Sequence, residues 1–319
     1  MLKQISISNS PLQLSAMALG AGPFSGTLSI DATDRLYGLF READGTTFDT
    51  AHCYCFWLPS GAGSAERALG QCIRRHGDTA NVRIITKGGH PAAGPDYPRP
   101  DAYLSPELLA SDIADSLRWL DVPTIDLYLL HRDDSRVPVG EIIDALNTHI
   151  AAGRLRSIGV SNWSTARLAA ANDYVRAHNL RGFVVSQPQF NLAHPNATIP
   201  NTEPALRYLT DADIAWHTHT GMPVVCYSPT ANGYFASNGQ RGRDAYENST
   251  TRARLGRATS LAQELKATPN QIALAYLLSQ PFPTIPILGT ADPAHLTESL
   301  AAADIHLTAA QLTWLRDGR

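Results

Sequence analysis

The chain has 319 residues, of which 44% are hydrophobic and 17% are charged, so it is long enough to bury a large core. Its 26 basic and 29 acidic residues are well mixed, and the formal net charge of -3 does not favour nucleic acid or an anionic membrane as a partner. The sequence has no long apolar run, no signal-peptide pattern and no framework-like spacing of its four cysteines. We therefore expect a reduced, cytoplasmic protein.

Short apolar runs alternate with longer amphipathic runs along almost the whole chain. The short runs are mostly continuous in Val, Ile and Leu, which is typical of buried parallel strands. In chain order the predicted strands are "LSAMAL", "GTTFDT", "VRIITK", "IDLYLLH", "LRSIGVSN", "GFVVSQ", "MPVVCYS" and "PTIPILG". The helices predicted after them span residues 30–44, 64–76, 106–120, 139–152, 165–178, 203–219, 253–266 and 293–303.

Eight such units have the length and rhythm of a (β/α)8 TIM barrel, and we predict one domain over residues 1–319. A doubly wound open sheet is the structural alternative, but eight repeats without a break in composition favour the closed barrel. The segment "KQISISNSPLQLS" before the first strand predicts an N-terminal β-hairpin that plugs the bottom of the barrel. The final "TAAQLTWLRD" predicts one extra C-terminal helix.

Two connections that follow strands are too long to be simple turns. They are "GGHPAAGPDYPRPDAYLS" after the third strand and "PTANGYFASNGQRGRDAYENST" after the seventh. Connections of this length usually carry function or are mobile. In a barrel both would lie over the C-terminal face, where active sites are found.

From the second to the seventh strand, a polar residue directly follows each apolar run. A polar side chain there is either solvated at the rim or directed at a ligand. The barrel mouth brings these strand ends together, which favours a shared site. The residues are Asp49, Lys87, His131, Ser161, Asn162, Gln187, Tyr227 and Ser228.

Tyr54 lies five residues after Asp49, in the loop past the second strand, and can fold back toward Lys87 and His131. A free tyrosine has a pKa of about 10, and a nearby ammonium lowers it. A carboxylate beside the lysine keeps the lysine charged, and a histidine can hydrogen-bond a substrate oxygen. Together these groups could protonate a carbonyl oxygen while hydride reaches its carbon.

This constellation resembles the aldo-keto reductase family over nearly the whole chain. The matching stretches are "FDTAHCY", "SAERALG", "ITK", "LLHRDD", "GRLRSIGVSN", "SQPQFNL", "VVCYSP" and "ILGTADPAHLTESL". The resemblance implies an NAD(P)H-dependent oxidoreductase that reversibly reduces an aldehyde or ketone to an alcohol. It also implies that Tyr54 is the general acid/base, with Asp49, Lys87 and His131 as its partners.

The same resemblance implies a nicotinamide cofactor extended across the C-terminal face. The residues expected at the nicotinamide are Ser161, Asn162, Gln187 and Tyr227. Those expected at the pyrophosphate and the adenine are Ser228, Thr230, Glu298 and Ser299.

Cofactor preference depends on cations at the ribose 2′-phosphate, commonly Arg or Lys. After the eighth strand, Gly289 stands where the family often has a basic residue, Thr290 can donate one hydrogen bond, and His295 is the candidate cation. We therefore expect NADP(H) with weak discrimination against NAD(H). Strong discrimination would require Arg241 or Arg243 to reach the phosphate from the long connection before it.

The stretch "AHCYCFW" also contains soft metal ligands in His52, Cys53 and Cys55. Their spacing is not that of a zinc site, and we predict no metal. The cysteines are interpreted as small apolar fillers, with a reactive thiol as the other interpretation. His52 is expected to face the substrate or to have a supporting or solvated role. Trp57 is expected to line the pocket or to be structural.

Two other functions fit the same residues. One is a cofactor-binding regulatory or sensor protein of the same fold with little turnover, and the other is a metal-dependent barrel hydrolase. The substrate is expected to be a small-molecule carbonyl or alcohol. A sugar-like substrate is suggested by the polar side chains of Tyr97, Arg99 and Tyr103 in the first long connection.

Overall fold

The computed structural model describes residues 1–25, 28–59, 61–196 and 206–319. It begins with an antiparallel hairpin of β1 (Gln4–Ser6) and β2 (Gln13–Ser15). Ile7, Leu12 and Leu14 pack in one buried cluster with inward-facing residues of the barrel strands, such as Ile85 and Leu127. The predicted N-terminal plug is therefore confirmed.

Eight parallel strands close into a barrel in which the last strand pairs with the first, so the prediction of a closed barrel is confirmed. The strands are β3 (Ala18–Gly20), β4 (Thr47–Asp49), β5 (Arg83–Gly88), β6 (Ile125–Leu130), β7 (Leu155–Ser161), β8 (Phe183–Gln187), β9 (Val224–Cys226) and β10 (Thr284–Leu288).

The predicted first strand "LSAMAL" was wrong in its bounds, because Leu14 and Ser15 belong to the hairpin. The Ser15 side chain donates to the carbonyl of Met17 at 2.7 Å and accepts from the amides of Thr46 and Thr47 at 3.1 Å. These bonds replace strand pairing at this point, so the barrel strand begins only at Ala18.

Helices surround the barrel. They are α1 (Ile30–Glu42), α2 (Ser64–Arg75), α3 (Pro106–Leu120), α4 (Val139–Ala151), α5 (Thr165–His178), α6 (Asp211–Thr220), α7 (Arg243–Tyr246), α8 (Ser249–Leu265), α9 (Pro269–Leu278), α10 (Pro293–Leu300) and α11 (Ala309–Asp317). The predicted C-terminal helix is confirmed as α11. Among the described residues, no helix is both long and apolar enough to cross a membrane.

The predicted bounds of α3 and α5 are confirmed, because both helices carry clear end signals. Ser105 and Ser164 cap their N-termini by accepting a backbone hydrogen bond. Asp121 and Asn179 end them in the left-handed conformation, with φ of 56° and 52°.

The helices predicted at 30–44, 64–76 and 139–152 begin as predicted but end one or two residues earlier, at Glu42, Arg75 and Ala151. Three other predicted helices differ more from the structure at their ends. The helix predicted at 203–219 begins only at Asp211, where Thr210 forms a capping box, and residues 203–205 lie outside the described part of the chain. The helix predicted at 253–266 begins earlier, after the N-cap Asn248. The helix predicted at 293–303 ends at Leu300, and a 3₁₀ turn follows over Ala301–Asp304.

Two helices were not predicted. Helix α9 is buried over most of its length, so it lacks the polar stripe that marks an amphipathic helix. Helix α7 lies within the long connection after β9. That connection packs on the barrel because it buries the aromatic side chains of Tyr234, Phe235 and Tyr246.

Candidate active site

The carboxyl ends of the barrel strands carry a group of buried polar side chains. Asp49 ends β4, Lys87 lies one residue before the end of β5, and Gln187 ends β8. His131 follows β6 directly. The exposed fraction is at most 7% for each of the four, so these strand ends face the interior of the mouth rather than a solvated rim.

The Lys87 ammonium joins three groups. Its Nζ donates to Oδ1 of Asp49 at 2.6 Å, to the carbonyl of Thr50 at 2.7 Å and to the hydroxyl of Tyr54 at 3.0 Å. An ammonium has three donors, so each has an acceptor. The predicted approach of Tyr54 to the lysine is therefore present in the structure.

Charge and burial have opposite effects on the pKa values of Tyr54 and Lys87. Burial raises the pKa of Tyr54 and the Lys87 charge lowers it, and the net pKa is above the ordinary value. The expected lowering by lysine is thus real but outweighed by desolvation. Burial lowers the pKa of Lys87, but the Asp49 carboxylate and the hydrogen bonds to Asp49 and Tyr54 raise that pKa by more, so the ammonium is retained. The result is a protonated phenol beside a fixed positive charge.

His131 completes the group. Its ring centroid lies 5.9 Å from that of Tyr54, with the planes at 72°. Burial, with the charges of Arg132, His90 and Lys87, holds the pKa of His131 well below its ordinary value, so the imidazole is neutral. Its Nδ1 lies 3.4 Å from Sγ of Cys53.

The Cys53 thiol is the hydrogen-bond partner of His131 Nδ1. Burial raises the pKa of Cys53 to about 12, so the sulfur carries its proton and can donate. A thiol donating to Nδ1 leaves the hydrogen of a neutral imidazole on Nε2. With the thiol as donor, His131 could donate from Nε2 to a substrate oxygen.

The residues predicted at the nicotinamide form a connected network. Asn162 Oδ1 accepts from the hydroxyl of Tyr227 at 2.8 Å, and its amide donates to Ser161 Oγ at 3.0 Å. Ser161 donates to the carbonyl of Gln187, whose side chain donates to Asp49 Oδ2 at 2.8 Å. The structure thus brings these residues together, and their contacts to a cofactor stay a prediction.

A cleft of about 710 Å³ begins at Ser228, the residue after Tyr227. Six residues predicted at the pyrophosphate, ribose phosphate and adenine line it, namely Ser228, Thr230, Gly289, Thr290, His295 and Glu298. Ser299 lines it as well. Arg241 is also among the lining residues and Arg243 is not. The structure therefore distinguishes the two arginines by their position relative to the cleft, which the sequence could not do.

Asn270 is a candidate that the sequence analysis missed. It lies on the unpredicted helix α9, lines the cleft and is 3% exposed. Its amide nitrogen donates to Glu298 Oε2 at 2.8 Å, but its Oδ1 has no partner among the described residues. A buried acceptor without a partner is costly, so it is suited to a ligand donor. Asn270 was missed because the sequence analysis did not predict helix α9, on which this residue lies.

The side chains of His52 and Trp57 make contacts outside the Lys87 group. The ring nitrogens of His52 face the hydroxyl of Tyr97 at 3.0 Å and Asp115 of α3 at 3.4 Å. These contacts link the loop to the helix and fit the supporting role. Trp57 is 57% exposed and contacts Phe56 edge to face, so it is not a buried structural residue. Direct contact of either residue with substrate stays a prediction.

The polar side chains of the first long connection form hydrogen bonds and ion pairs with other residues of the protein. Arg99 forms an ion pair with Asp112 at 2.5 Å, and the hydroxyl of Tyr103 donates to the carbonyl of Asp133 at 2.6 Å. The hydroxyl of Tyr97 bonds to His52. The suggestion of a sugar-like substrate rested on these groups, and their contacts give it no support.

A closed (β/α)8 barrel with polar residues at the carboxyl ends of its strands belongs to the large class of TIM-barrel proteins. A model of the Aldo/keto reductase family matches residues 12–317. The chain therefore belongs to the Aldo/keto reductase family and is an oxidoreductase of that family.

Several relatives resemble the chain over most of its length. An aryl-alcohol dehydrogenase [NADP(+)] of Phanerodontia chrysosporium is 26% identical and is matched over 97% of this chain and 82% of its own length. A putative voltage-gated potassium channel subunit beta of Schizosaccharomyces pombe is 26% identical over 93% and 87%. A norsolorinic acid reductase B of Aspergillus parasiticus is 28% identical over 95% and 79%.

A solved structure has the same fold. It is a thermostable aldo-keto reductase in complex with the inhibitor epalrestat, with a TM-score of 0.73, 22% identity and coverage of 98% of both chains. At this identity the likeness establishes the fold alone.

Proposed function

We propose that this protein is an NADP(H)-dependent carbonyl reductase that reduces an aldehyde or ketone to an alcohol and also catalyses the reverse reaction. The observation that carries the proposal is the buried Lys87 ammonium, bonded at once to Asp49 and to the hydroxyl of Tyr54. Family membership supports the reaction class.

The chain's residues have distinct roles in this proposal. A bound nicotinamide cofactor supplies hydride to the carbonyl carbon. Tyr54 donates its phenolic proton to the carbonyl oxygen, and Lys87 stabilises the phenolate left behind. Asp49 keeps Lys87 charged and oriented. His131 donates a hydrogen bond from Nε2, which holds the carbonyl oxygen and stabilises its developing charge.

The cleft fits an extended dinucleotide. Ser228 and Thr230 are expected to face the pyrophosphate, and Asn270 to accept a hydrogen bond from the adenine amino group through its Oδ1, which has no protein partner among the described residues. A Cβ added at Gly289 would meet no described atom within 4 Å, so there is open space in the cleft beside this residue.

NADP(H) is the proposed cofactor, with NAD(H) also accepted. Arg241 supplies a permanent charge to the cleft. His295 lies 3.7 Å from the Asp292 carboxylate, whose negative charge opposes a phosphate at that position. Arg241 is therefore the proposed phosphate contact, and the P. chrysosporium relative, whose name includes NADP(+), supports this choice.

Turnover with a panel of aromatic and aliphatic aldehydes tests the proposal, measured as oxidation of NADPH and of NADH. Tyr54→Phe deletes only the hydroxyl and should lower kcat by at least about 10²-fold, the scale for loss of a general acid. Cofactor binding, followed by fluorescence, should change little. A variant that retains near-normal turnover would remove Tyr54 from the mechanism.

The second candidate is a cofactor-binding regulatory subunit, which the name of the S. pombe relative favours. It predicts that the wild-type chain binds NADPH but turns over no carbonyl of the panel. The same experiment therefore separates the two functions.

A further inference from the structure

Three buried side chains from three separate connections meet beside the Tyr54 group. Cys53 follows β4, His90 follows β5 and His131 follows β6. One ligand atom of each lies within 4.8 Å of the others, and their exposed fractions are 4%, 5% and 7%. A thiol and two imidazoles are the donor set that zinc and similar soft divalent metals prefer.

We propose that Cys53, His90 and His131 form a binding site for a soft divalent metal ion of the zinc class, and that occupation of this site reversibly inhibits the enzyme. His52 and Cys55, the other candidate ligands in the same stretch of sequence, are not part of the group. The inhibitory part of this inference rests on the proposed function, whereas the binding part does not.

The surroundings of both histidines suit ligation. His90 Nδ1 lies 2.8 Å from the carbonyl of Pro91, which fixes the hydrogen on Nδ1 and the lone pair on Nε2. A backbone carbonyl holding the second nitrogen in this way is the usual arrangement around a metal-bound histidine. His131 Nδ1 faces Cys53 Sγ.

The distance between two of the ligand atoms already matches their separation in a tetrahedral zinc site. The distance from Cys53 Sγ to His131 Nδ1 is 3.4 Å. Tetrahedral zinc with ordinary Zn–S and Zn–N bonds separates sulfur and nitrogen by about 3.5 Å. The ligand atom of His90 lies within 4.8 Å of the other two, so the three ligands must draw closer on binding.

Binding exchanges a proton for the metal. The ion forms a bond to Cys53 sulfur as the thiol proton leaves to solvent, and two neutral imidazoles complete three positions of a tetrahedron. Water from the barrel mouth takes the fourth position. The nearby charges of Lys87 and Arg132 oppose a cation, which is why we infer reversible binding rather than a resident metal.

Inhibition follows from the neighbours of the ligands. Cys53 precedes Tyr54 in the chain, and His131 packs against the Tyr54 ring. A metal that draws Cys53, His90 and His131 together displaces both proposed proton donors from the substrate oxygen.

Cobalt(II) is the probe for binding, because tetrahedral cobalt with a thiolate ligand has a sulfur-to-metal absorption band and visible d–d bands. Titration of the full chain with Co²⁺ should develop both bands with one ion per chain, and Zn²⁺ should remove them. Cys53→Ala should abolish the sulfur band, and His90→Gln should raise the Kd for Co²⁺ by at least about tenfold. Cys55→Ser, two residues away, is the matched control and should leave the spectrum unchanged.

The inhibitory part is tested with Zn²⁺ in the carbonyl assay. Activity of wild type and Cys55→Ser should fall with Zn²⁺ and return with a chelator, whereas His90→Gln should need at least about tenfold more Zn²⁺.

No cobalt bands, or a sulfur band that persists in Cys53→Ala, would overturn the site. Bands without loss of turnover would overturn inhibition alone. If wild type lacks turnover altogether, the proposed function fails while the spectra still decide the site.

Discussion

Gln187 Nε2 donates to Oδ2 of Asp49 across 2.8 Å, which connects the end of β8 to the end of β4 over the barrel mouth. Both side chains are at most 2% exposed. The bond means that a residue predicted to hold the nicotinamide also holds the carboxylate that orients Lys87. Cofactor binding and proton donation are therefore expected to depend on one connected network.

Replacement of Gln187 by Leu should weaken that network. The change leaves Asp49 Oδ2 without its buried donor, so the free energy of unfolding should fall by about 1–3 kcal/mol. Cofactor affinity should fall as well, because the predicted carboxamide contact is lost. Urea unfolding and fluorescence titration measure the two effects. Gln187→Glu keeps the size but opposes Asp49 with a like charge, and a stability equal to wild type in that variant would contradict the assigned contact.

Lys87→Met should abolish most turnover and destabilise the protein. Removing the ammonium leaves the buried Asp49 carboxylate without its counter-charge, at a cost of about 3–5 kcal/mol. The double variant Lys87→Met with Asp49→Asn removes both charges and should recover most of the stability but none of the activity. If the double variant regained turnover, the pair would have only a structural role.

The buried Glu66 carboxyl should make the free energy of unfolding depend on pH. Burial raises its pKa from 4.5 to about 7, and Thr86 donates to its Oε1 at 2.6 Å. The folded state holds this proton more tightly than the unfolded state, so the contribution is fully present below pH 4.5 and is lost as pH rises through about 7. The total is about 3 kcal/mol.

Comparison with Glu66→Gln isolates this contribution, because other groups titrate equally in both proteins. The wild-type free energy of unfolding, relative to that of Glu66→Gln, should decrease between pH 5 and pH 8 by roughly the same 3 kcal/mol. A constant difference over that range would show that Glu66 ionises at its ordinary pKa.

Arg241 should set the cofactor preference. Arg241→Ala removes the permanent charge from the cleft and should lower kcat/KM for NADPH by about ten- to a hundredfold, the scale of a charge-assisted hydrogen bond. The value for NADH should change little. Arg243→Ala is the matched control, because Arg243 does not line the cleft. Equal losses for both cofactors would indicate that Arg241 holds the connection rather than the phosphate.

The sequence alone determined the barrel and the strand-end residues. Parallel strands that are buried on both sides are mostly continuous apolar runs, so a polar residue at the end of the run, such as Asp49 or His131, marks the strand end. A closed parallel barrel then requires all carboxyl ends to meet at one face. For the same reason α9 was missed, since a helix buried on most sides loses the periodicity that identifies it.

Only the tertiary structure decided the contacts between separate connections. Tyr54, Cys53 and His90 lie on loops, where the direction of a side chain depends on packing rather than on spacing along the chain. The structure also decided the state of Tyr54, because desolvation is a property of the completed interior and here exceeds the effect of the Lys87 charge. Likewise, Arg241 and Arg243 are equivalent in sequence, and the path of the packed connection alone directs Arg241 into the cleft.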